Sequence, residues 1–169
     1  MKKLKKDFFL QSAEDAAAAL IGKWICRNID GNVERFQITE TECYIAECDS
    51  ACHGHKGKTE RTQIMWCEGG VCYVYLCYGM HFMLNFVTGK EGDAQCVLIR
   101  GVSGAKGPGR ASKAMHIDKS FYGESLIASD KIWVEDDHKK YSYTVGKRIG
   151  INYAKQEDID RLWRFEISE

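Results

Sequence analysis

Apolar and polar residues alternate from Val33 to Tyr44, the pattern of an extended strand. Val33, Arg35, Gln37, Thr39 and Thr41 fall on one side, and Phe36, Ile38, Glu40, Glu42 and Tyr44 on the other. The second side is the expected buried face, which would carry two carboxylates into the core. A buried carboxylate is costly unless it is paired or put to use. The competing reading is a strand that leaves the core at Thr39, with both glutamates in solvent.

The same patterning predicts the other elements. Ser12 caps a helix over residues 13–21, with Asp15 in the capping-box region and Gly22 as its stop. Trp24–Ile29 and Val33–Tyr44 flank Asp30-Gly31, a two-residue hairpin signal. Cys72–Cys77 and His81–Val87 form a second strand pair around Tyr78-Gly79, and Gln95–Val102 is a further strand with Cys96, Leu98 and Arg100 on one face. Pro108 suits the first turn of a helix running to about Met115. Residues 131–135, 143–149 and 162–167 read as strands, and residues 45–70 as an irregular polar loop region. The expected architecture is α+β: one compact domain over residues 1–169, with a curved, mainly antiparallel sheet and a few helices packed on it. Residues 1–7 are expected to be a flexible, solvated basic tail.

Composition narrows the function classes. The formal net charge is zero, which argues against bulk polycation binding but not against a local basic face. Arg100, Lys106, Arg110 and Lys113 form one acid-free group, and Lys56, Lys58 and Arg61 another. Residues 69–89 carry no Asp, Glu, Lys or Arg, but four glycines, His81, Asn85 and three tyrosines interrupt them. Two buried strands fit this segment better than a membrane span. No signal-peptide pattern precedes the eight cysteines, so reduced thiols in a cytoplasmic protein are expected rather than a disulfide framework. Cys48, Cys52, His53 and His55 invite a metal reading, but no C-x-x-C pair or zinc-ribbon spacing is present; no metal or cofactor is expected.

Candidate chemistry converges on a few positions. An acid, Glu42, stands at a strand end; Tyr44, His53, Tyr73, Tyr75 and Tyr78 supply aromatics; Asn85 and Arg100 are polar residues in apolar strands. Stacked aromatics with a buried acid suit a pocket for an extruded base, and an aromatic at a hairpin tip suits a wedge in duplex DNA. Taken alone, Tyr73 and Tyr75 would be core strand aromatics and His53 a surface loop histidine. Arg100 would be an edge charge or an ion-pair partner of Glu40 or Glu42, and Asn85 would satisfy a backbone group.

With these segments in place, the chain resembles the alkyladenine (3-methyladenine) DNA glycosylases of the vertebrate and bacterial type, from about Phe8 to Phe165. The segments that carry the likeness are Glu40-Thr41-Glu42-Cys43-Tyr44, His53 with Gly57, Thr59, Arg61 and Met65, and Tyr73 through Met80. Asn85, Cys96 through Arg100, and Gly107-Pro108-Gly109-Arg110 complete them. The resemblance implies that Glu42 is the general base activating water and that Arg100 helps hold that water. It makes Tyr44, His53 and Tyr75 the walls of a base pocket, and Asn85 the residue that excludes the amino group of guanine. Tyr78 becomes the DNA wedge, with Met80 beside it, while Arg61, Lys106, Arg110 and Lys113 become contacts to the DNA backbone. The implied protein is a monofunctional, monomeric repair enzyme acting on damaged double-stranded DNA, excising alkylated or deaminated purines without metal or lysine nucleophile. A catalytically weak protein that binds damage and flips bases is the alternative.

The chain departs from that pattern in places. Glu60 and Thr62 flank Arg61 where the family usually has Pro and Asn, so the loop beside the pocket is expected to differ. Only residues 101–106 separate Arg100 from the Gly-Pro-Gly element, where many relatives have a longer, arginine-containing insertion, so a smaller DNA footprint is expected. Lys113 stands where glutamine is commoner. Relatives also continue past the last strand with a segment whose backbone carbonyl helps hold the water. Here the sequence stops at Glu169, and that contact is expected to be missing.

Overall fold

The computed structural model describes residues 1–168. In chain order the elements are β1 (Lys2–Lys3), α1 (Lys6–Phe9), α2 (Ala13–Leu20), β2 (Trp24–Ile29), β3 (Asn32–Ile45), β4 (Cys72–Cys77), β5 (His81–Thr88), β6 (Gln95–Val102) and β7 (Ala105–Lys106). They continue with α3 (Pro108–Ala114), β8 (Ile132–Asp136), β9 (Tyr143–Gly146), α4 (Gln156–Ile159) and β10 (Arg164–Ile167). The α+β class is as expected. All strand pairs are antiparallel, in the order β1-β8-β2-β3-β6-β5-β4, with β10 joining β3 to β9 and β7 pairing β6.

The local signals act as their chemistry predicts. Ser12 Oγ accepts from the Asp15 N–H at 3.1 Å and donates to the Asp15 carboxylate at 2.8 Å, which closes the N-terminus of α2. Asp30 and Gly31 take φ of +50° and +86°, the conformation a two-residue hairpin with right-handed strand twist needs. Pro108 occupies the first turn of α3.

β3 is the spine. Its first half pairs with β2 through Gln37; its second half pairs with β6, and Glu40–Glu42 also pair with β10. On one face, Ile38, Cys43, Val97, Ile99 and Val102 join Phe9, Leu20, Leu84, Phe86 and Met115 in the main core, under α1, α2 and α3. The other face carries a smaller apolar cluster of Ala46, Cys52, Met65, Tyr73, Val87, Ala94 and Cys96. The candidate site lies on this second face.

Three expectations are corrected. The glutamates do not share the core face with Phe36 and Ile38. Register is Ile38 opposite Val102, then Glu40 opposite Gly101, then Thr41 opposite Ile99, so both strands take an odd, three-residue step between core-facing positions. Thr41 and Cys43 therefore point into the core, with the Thr41 hydroxyl on the Ala17 carbonyl at 2.9 Å, and Glu40, Glu42 and Tyr44 point to the other side. Glycine is needed at 101, where a Cβ would lie 2.9 Å from Thr39 Oγ1 and 3.2 Å from Glu40 Cβ.

The expected tail is ordered into the fold. Lys2 and Lys3 pair with Asp136 and Glu135, and the Leu4 N–H bonds the Val134 carbonyl at 2.8 Å. Leu4, Phe8 and Phe9 interrupt the lysines and anchor the segment to the core. The strand expected over 143–149 stops at Gly146, because Arg148 turns inward to a buried partner. Within the loop region 45–70, residues His53–Lys56 and Gln63–Trp66 form short 3-10 helices.

Candidate active site

A cavity of about 420 Å³ opens on the second face of the sheet. Tyr44, His53, Arg61, Tyr75, Tyr78, Asn85 and Arg100 all line it, together with Met83, Cys96, Leu98 and residues of the loop 149–153. Residues from β3, β4, β5, β6 and the loops 45–70 and 149–153 thus meet in one place. Strand alternation explains the wall: Tyr73, Tyr75 and Cys77 of β4, Met83 and Asn85 of β5, and Cys96, Leu98 and Arg100 of β6 all point to this side.

The acid lies beneath the cavity wall. Glu42 is 0% exposed. Its Oε2 accepts the Tyr44 hydroxyl at 2.6 Å, its Oε1 accepts the Ile149 N–H at 2.8 Å, and Arg100 Nη1 lies 3.5 Å from Oε1. Arg100 is shared: its Nε donates to Glu40 at 3.2 Å, and Glu40 also accepts from Arg164 at 2.9 Å. Burial raises the Glu42 carboxyl above the usual carboxylate range, opposed by Arg100, the Tyr44 phenol, the Ile149 N–H and Arg148. A carboxylate so placed is a stronger base than one in water.

The aromatic walls are neutral. Burial, and then Arg61, push His53 down to about 4, so its ring is uncharged near neutral pH. Its Nδ1 bonds the Tyr73 hydroxyl at 3.1 Å and its ring packs edge-on against Tyr75 with centroids 4.6 Å apart. Burial raises the phenols of Tyr44, Tyr73 and Tyr75, so they remain protonated. The Asn85 amide is spent internally: Nδ2 donates to the Tyr73 and Met83 carbonyls at 3.2 and 3.4 Å, and Oδ1 accepts from the Cys96 thiol at 3.8 Å. A flat, electron-poor ring entering this space meets π-faces and no formal positive charge except Arg61 and Arg100 at its edges.

Tyr78 and Met80 project from the β4–β5 tip and are 91% and 75% exposed. Tyr78 holds φ of +53°, a left-handed conformation that costs a non-glycine residue of order 1 kcal/mol and that aims the ring into solvent beside the cavity. Arg110 and Lys113 are exposed on α3, whose Pro108 touches the cavity rim. Lys106 is not free: its Nζ pairs with Glu166 at 2.7 Å. Arg61 is exposed at the cavity mouth, 5.8 Å from the Tyr75 ring centroid. Thr62 is buried and exchanges hydrogen bonds with Thr59, which closes the loop around Arg61.

Asp49, Arg148, Ile149 and Tyr153 are components that sequence reasoning missed. Arg148 and Asp49 form a buried bidentate pair at 2.5 and 2.8 Å, and Tyr153, at the cavity edge, donates to the Ala51 carbonyl at 2.7 Å. Arg148 follows Lys147 and looks like an ordinary surface charge, and nothing local pairs it with Asp49. Ile149 supplies a backbone N–H to Glu42, a donor to the carboxylate rather than the water-holding carbonyl whose absence was expected; Glu169, at the end of that segment, lies outside the described residues. All eight cysteines are free thiols, and no group of three or more His, Cys, Asp or Glu among the described residues is close enough to hold a metal ion. Among the described residues, no helix is long and apolar enough to cross a membrane.

Residues 7–169 match the family model described as methylpurine-DNA glycosylase (MPG). The chain is similar to the "Putative 3-methyladenine DNA glycosylase" of Borrelia garinii, 40% identical over 96% of this chain and 94% of that protein. The proteins of the same name from Natranaerobius thermophilus and Psychrobacter cryohalolentis are 38% and 39% identical, over 99% and 89% of this chain and 96% and 85% of theirs. A family-wide match over nearly every residue, joined to a buried acid beside a neutral aromatic cavity, leads to one assignment: the chain belongs to the methylpurine-DNA glycosylase family.

Proposed function

We propose that the cavity receives a damaged purine extruded from double-stranded DNA, and that Glu42 activates a water molecule for hydrolysis of its N-glycosidic bond. The observation that carries this reading is a solvent-free carboxylate of raised proton affinity under a neutral aromatic cavity. The water oxygen bonds C1′ as its proton passes to Glu42, and the C1′–N bond breaks with its electron pair leaving on the base. The same carboxylate, with Arg100 steadying it, stabilises the positive charge that develops on the sugar. A purine alkylated at N3 or N7 carries a positive charge, and the Tyr44 and Tyr75 faces favour it by about 0.5–2 kcal/mol.

Asn85, with its amide oriented by Tyr73, Met83 and Cys96, bars the amino group of undamaged guanine. Tyr78, with Met80 beside it, fills the gap left in the duplex, and Arg61, Arg110 and Lys113 contact phosphates. For Lys106 to do so, a phosphate must displace Glu166. In this reading water, not a lysine, is the nucleophile, so the product is an intact abasic site and the action is monofunctional. The substrates are alkylated purines such as 3-methyladenine and 7-methylguanine, with hypoxanthine and ethenoadenine as further lesions, and the protein works as a monomer.

The test is single-turnover base release from duplex DNA that has been methylated or carries hypoxanthine. Wild type should release the base and leave a strand that breaks only on alkali or heat. Glu42→Gln should release it about 10³-fold more slowly while still binding the lesion. Equal rates in the two proteins would refute Glu42 as the base.

A further inference from the structure

Glu42 is supported by two hydrogen-bond donors besides Arg100, the Tyr44 phenol and the Ile149 backbone. Both lead to the same residue. The Arg148 guanidinium lies 4.7 Å from the centroid of the Tyr44 ring, and Ile149 is its neighbour in the chain. Arg148 is itself buried, and both terminal nitrogens of its guanidinium are fully engaged, while Nε has no hydrogen-bond partner among the described residues. It grips Asp49 with two hydrogen bonds, the Cys43 carbonyl at 2.9 Å and the Asp158 carbonyl at 3.1 Å, and it lies 5.1 Å from the Trp163 ring centroid. Neither Arg148 nor Asp49 lines the cavity.

Desolvating two charges is expensive, and a buried ion pair is often no more stabilising than apolar residues of the same volume. Stability alone is therefore a weak reason for this pair. Geometry is a stronger one: only a planar fork can bind a carboxylate, two carbonyls and two ring faces at once, which a lysine cannot do.

We infer that the Asp49–Arg148 pair is the positioning device of the site, holding the Tyr44 phenol and the Ile149 N–H on Glu42 so that the carboxylate keeps one orientation, without touching substrate. The inference rests on the reading of Glu42 as the general base. The other charges near Glu42 are Glu40 on its own strand, Arg100 on β6 and, beyond Glu40, Arg164 on β10; none of them contacts the pair. Loosening the two donors and removing the Arg148 charge withdraws interactions that favour the ionised acid, so Glu42 should hold its proton to higher pH.

The decisive variant is Asp49→Asn with Arg148→Met, which leaves no unpaired buried charge and is expected to fold. In protein labelled with ¹³C-glutamate, the Glu42 carboxyl signal, assigned by its loss in Glu42→Gln, is titrated directly. Its midpoint should rise by about one pH unit, and base release at neutral pH should fall roughly tenfold with lesion affinity changed less than about threefold. Arg148→Lys, which keeps the charge but not the fork, should move the midpoint in the same direction by less, and it serves if the double variant fails to fold. An unchanged midpoint in a folded variant overturns the inference, even if the rate falls, since the pair would then be a general support of the loop. A raised midpoint with unchanged base release upholds the positioning and instead counts against Glu42 as the base.

Discussion

Glu40 and Glu42 stand two residues apart on the same face of β3, and both are buried, yet they are surrounded differently. Glu40 is held by two arginines, Arg100 at 3.2 Å and Arg164 at 2.9 Å, and Arg164 is paired in turn with Glu166, which also takes Lys106. Glu42 has one arginine at the longer distance of 3.5 Å, supplemented by a phenol and a backbone N–H. The first carboxylate is compensated and anchors the sheet junction of β3, β6 and β10. The second is left with unsatisfied demand for a proton, the condition a general base requires. Burial raises the Glu42 carboxyl first, and Arg100 offsets it only in part because its Nε is turned toward Glu40.

The comparison breaks most visibly if the two glutamates are exchanged for glutamine in turn. Glu42→Gln should slow base release about 10³-fold while the melting temperature rises by roughly 2–4 °C. The sign follows from linkage. A carboxyl raised in the folded state binds its proton more tightly there, so its ionisation at neutral pH counts against folding, and the neutral amide removes that cost. Glu40→Gln should show the reverse. It leaves Arg164 and Arg100 under-compensated, and a loss of about 3 kcal/mol would lower the melting temperature by roughly 6–12 °C. Base release should fall no more than about tenfold, measured at a temperature where the variant is folded.

A second contrast sets His53 against the exposed histidines. Because its folded value is near 4, it must be neutral in the fold. The unfolded chain begins to take up the proton near pH 6.5, so stability should decline as pH falls from there toward 4. Denaturant midpoints measured across that window should show a shallower acid loss in His53→Gln than in wild type. Smaller again is the effect expected at the proposed wedge. Tyr78→Ala should leave the melting temperature within about 1 °C, since its ring is 91% exposed, yet lower affinity for lesion duplex about tenfold. The smallest effects belong to α3: Arg110→Ala or Lys113→Ala should weaken binding alike for damaged and undamaged DNA and reduce the salt slope by about one.

Much of this was readable in the chain. The Asp-Gly turn, the Ser12 cap, Pro108 at a helix start and the alternation of Tyr73, Tyr75, Asn85, Leu98 and Arg100 are local patterns, and each produced the expected element or face. What could not be read depends on partners far apart in sequence. The double phase change at Thr39–Glu40 and Arg100–Gly101 shows only when β3 and β6 are paired, and it reverses which side the glutamates occupy. Lys2 and Lys3 looked like a tail because their partner strand, β8, lies near the other end of the chain. The Asp49–Arg148 pair spans 99 positions, and each residue alone has the look of an ordinary loop charge. The acid was therefore found on its motif, while the support for the role proposed for it came from contacts that no local pattern encodes.

The central claim is that Glu42 is a base because it is under-compensated. Its most direct test is the pH dependence of single-turnover base release from duplex DNA carrying hypoxanthine, a lesion neutral near pH 7. The account predicts an acid limb whose midpoint lies above the usual carboxylate range, persisting in Glu40→Gln and absent from the about 10³-fold lower residual rate of Glu42→Gln. An acid limb and rate that survive unchanged in Glu42→Gln would contradict it.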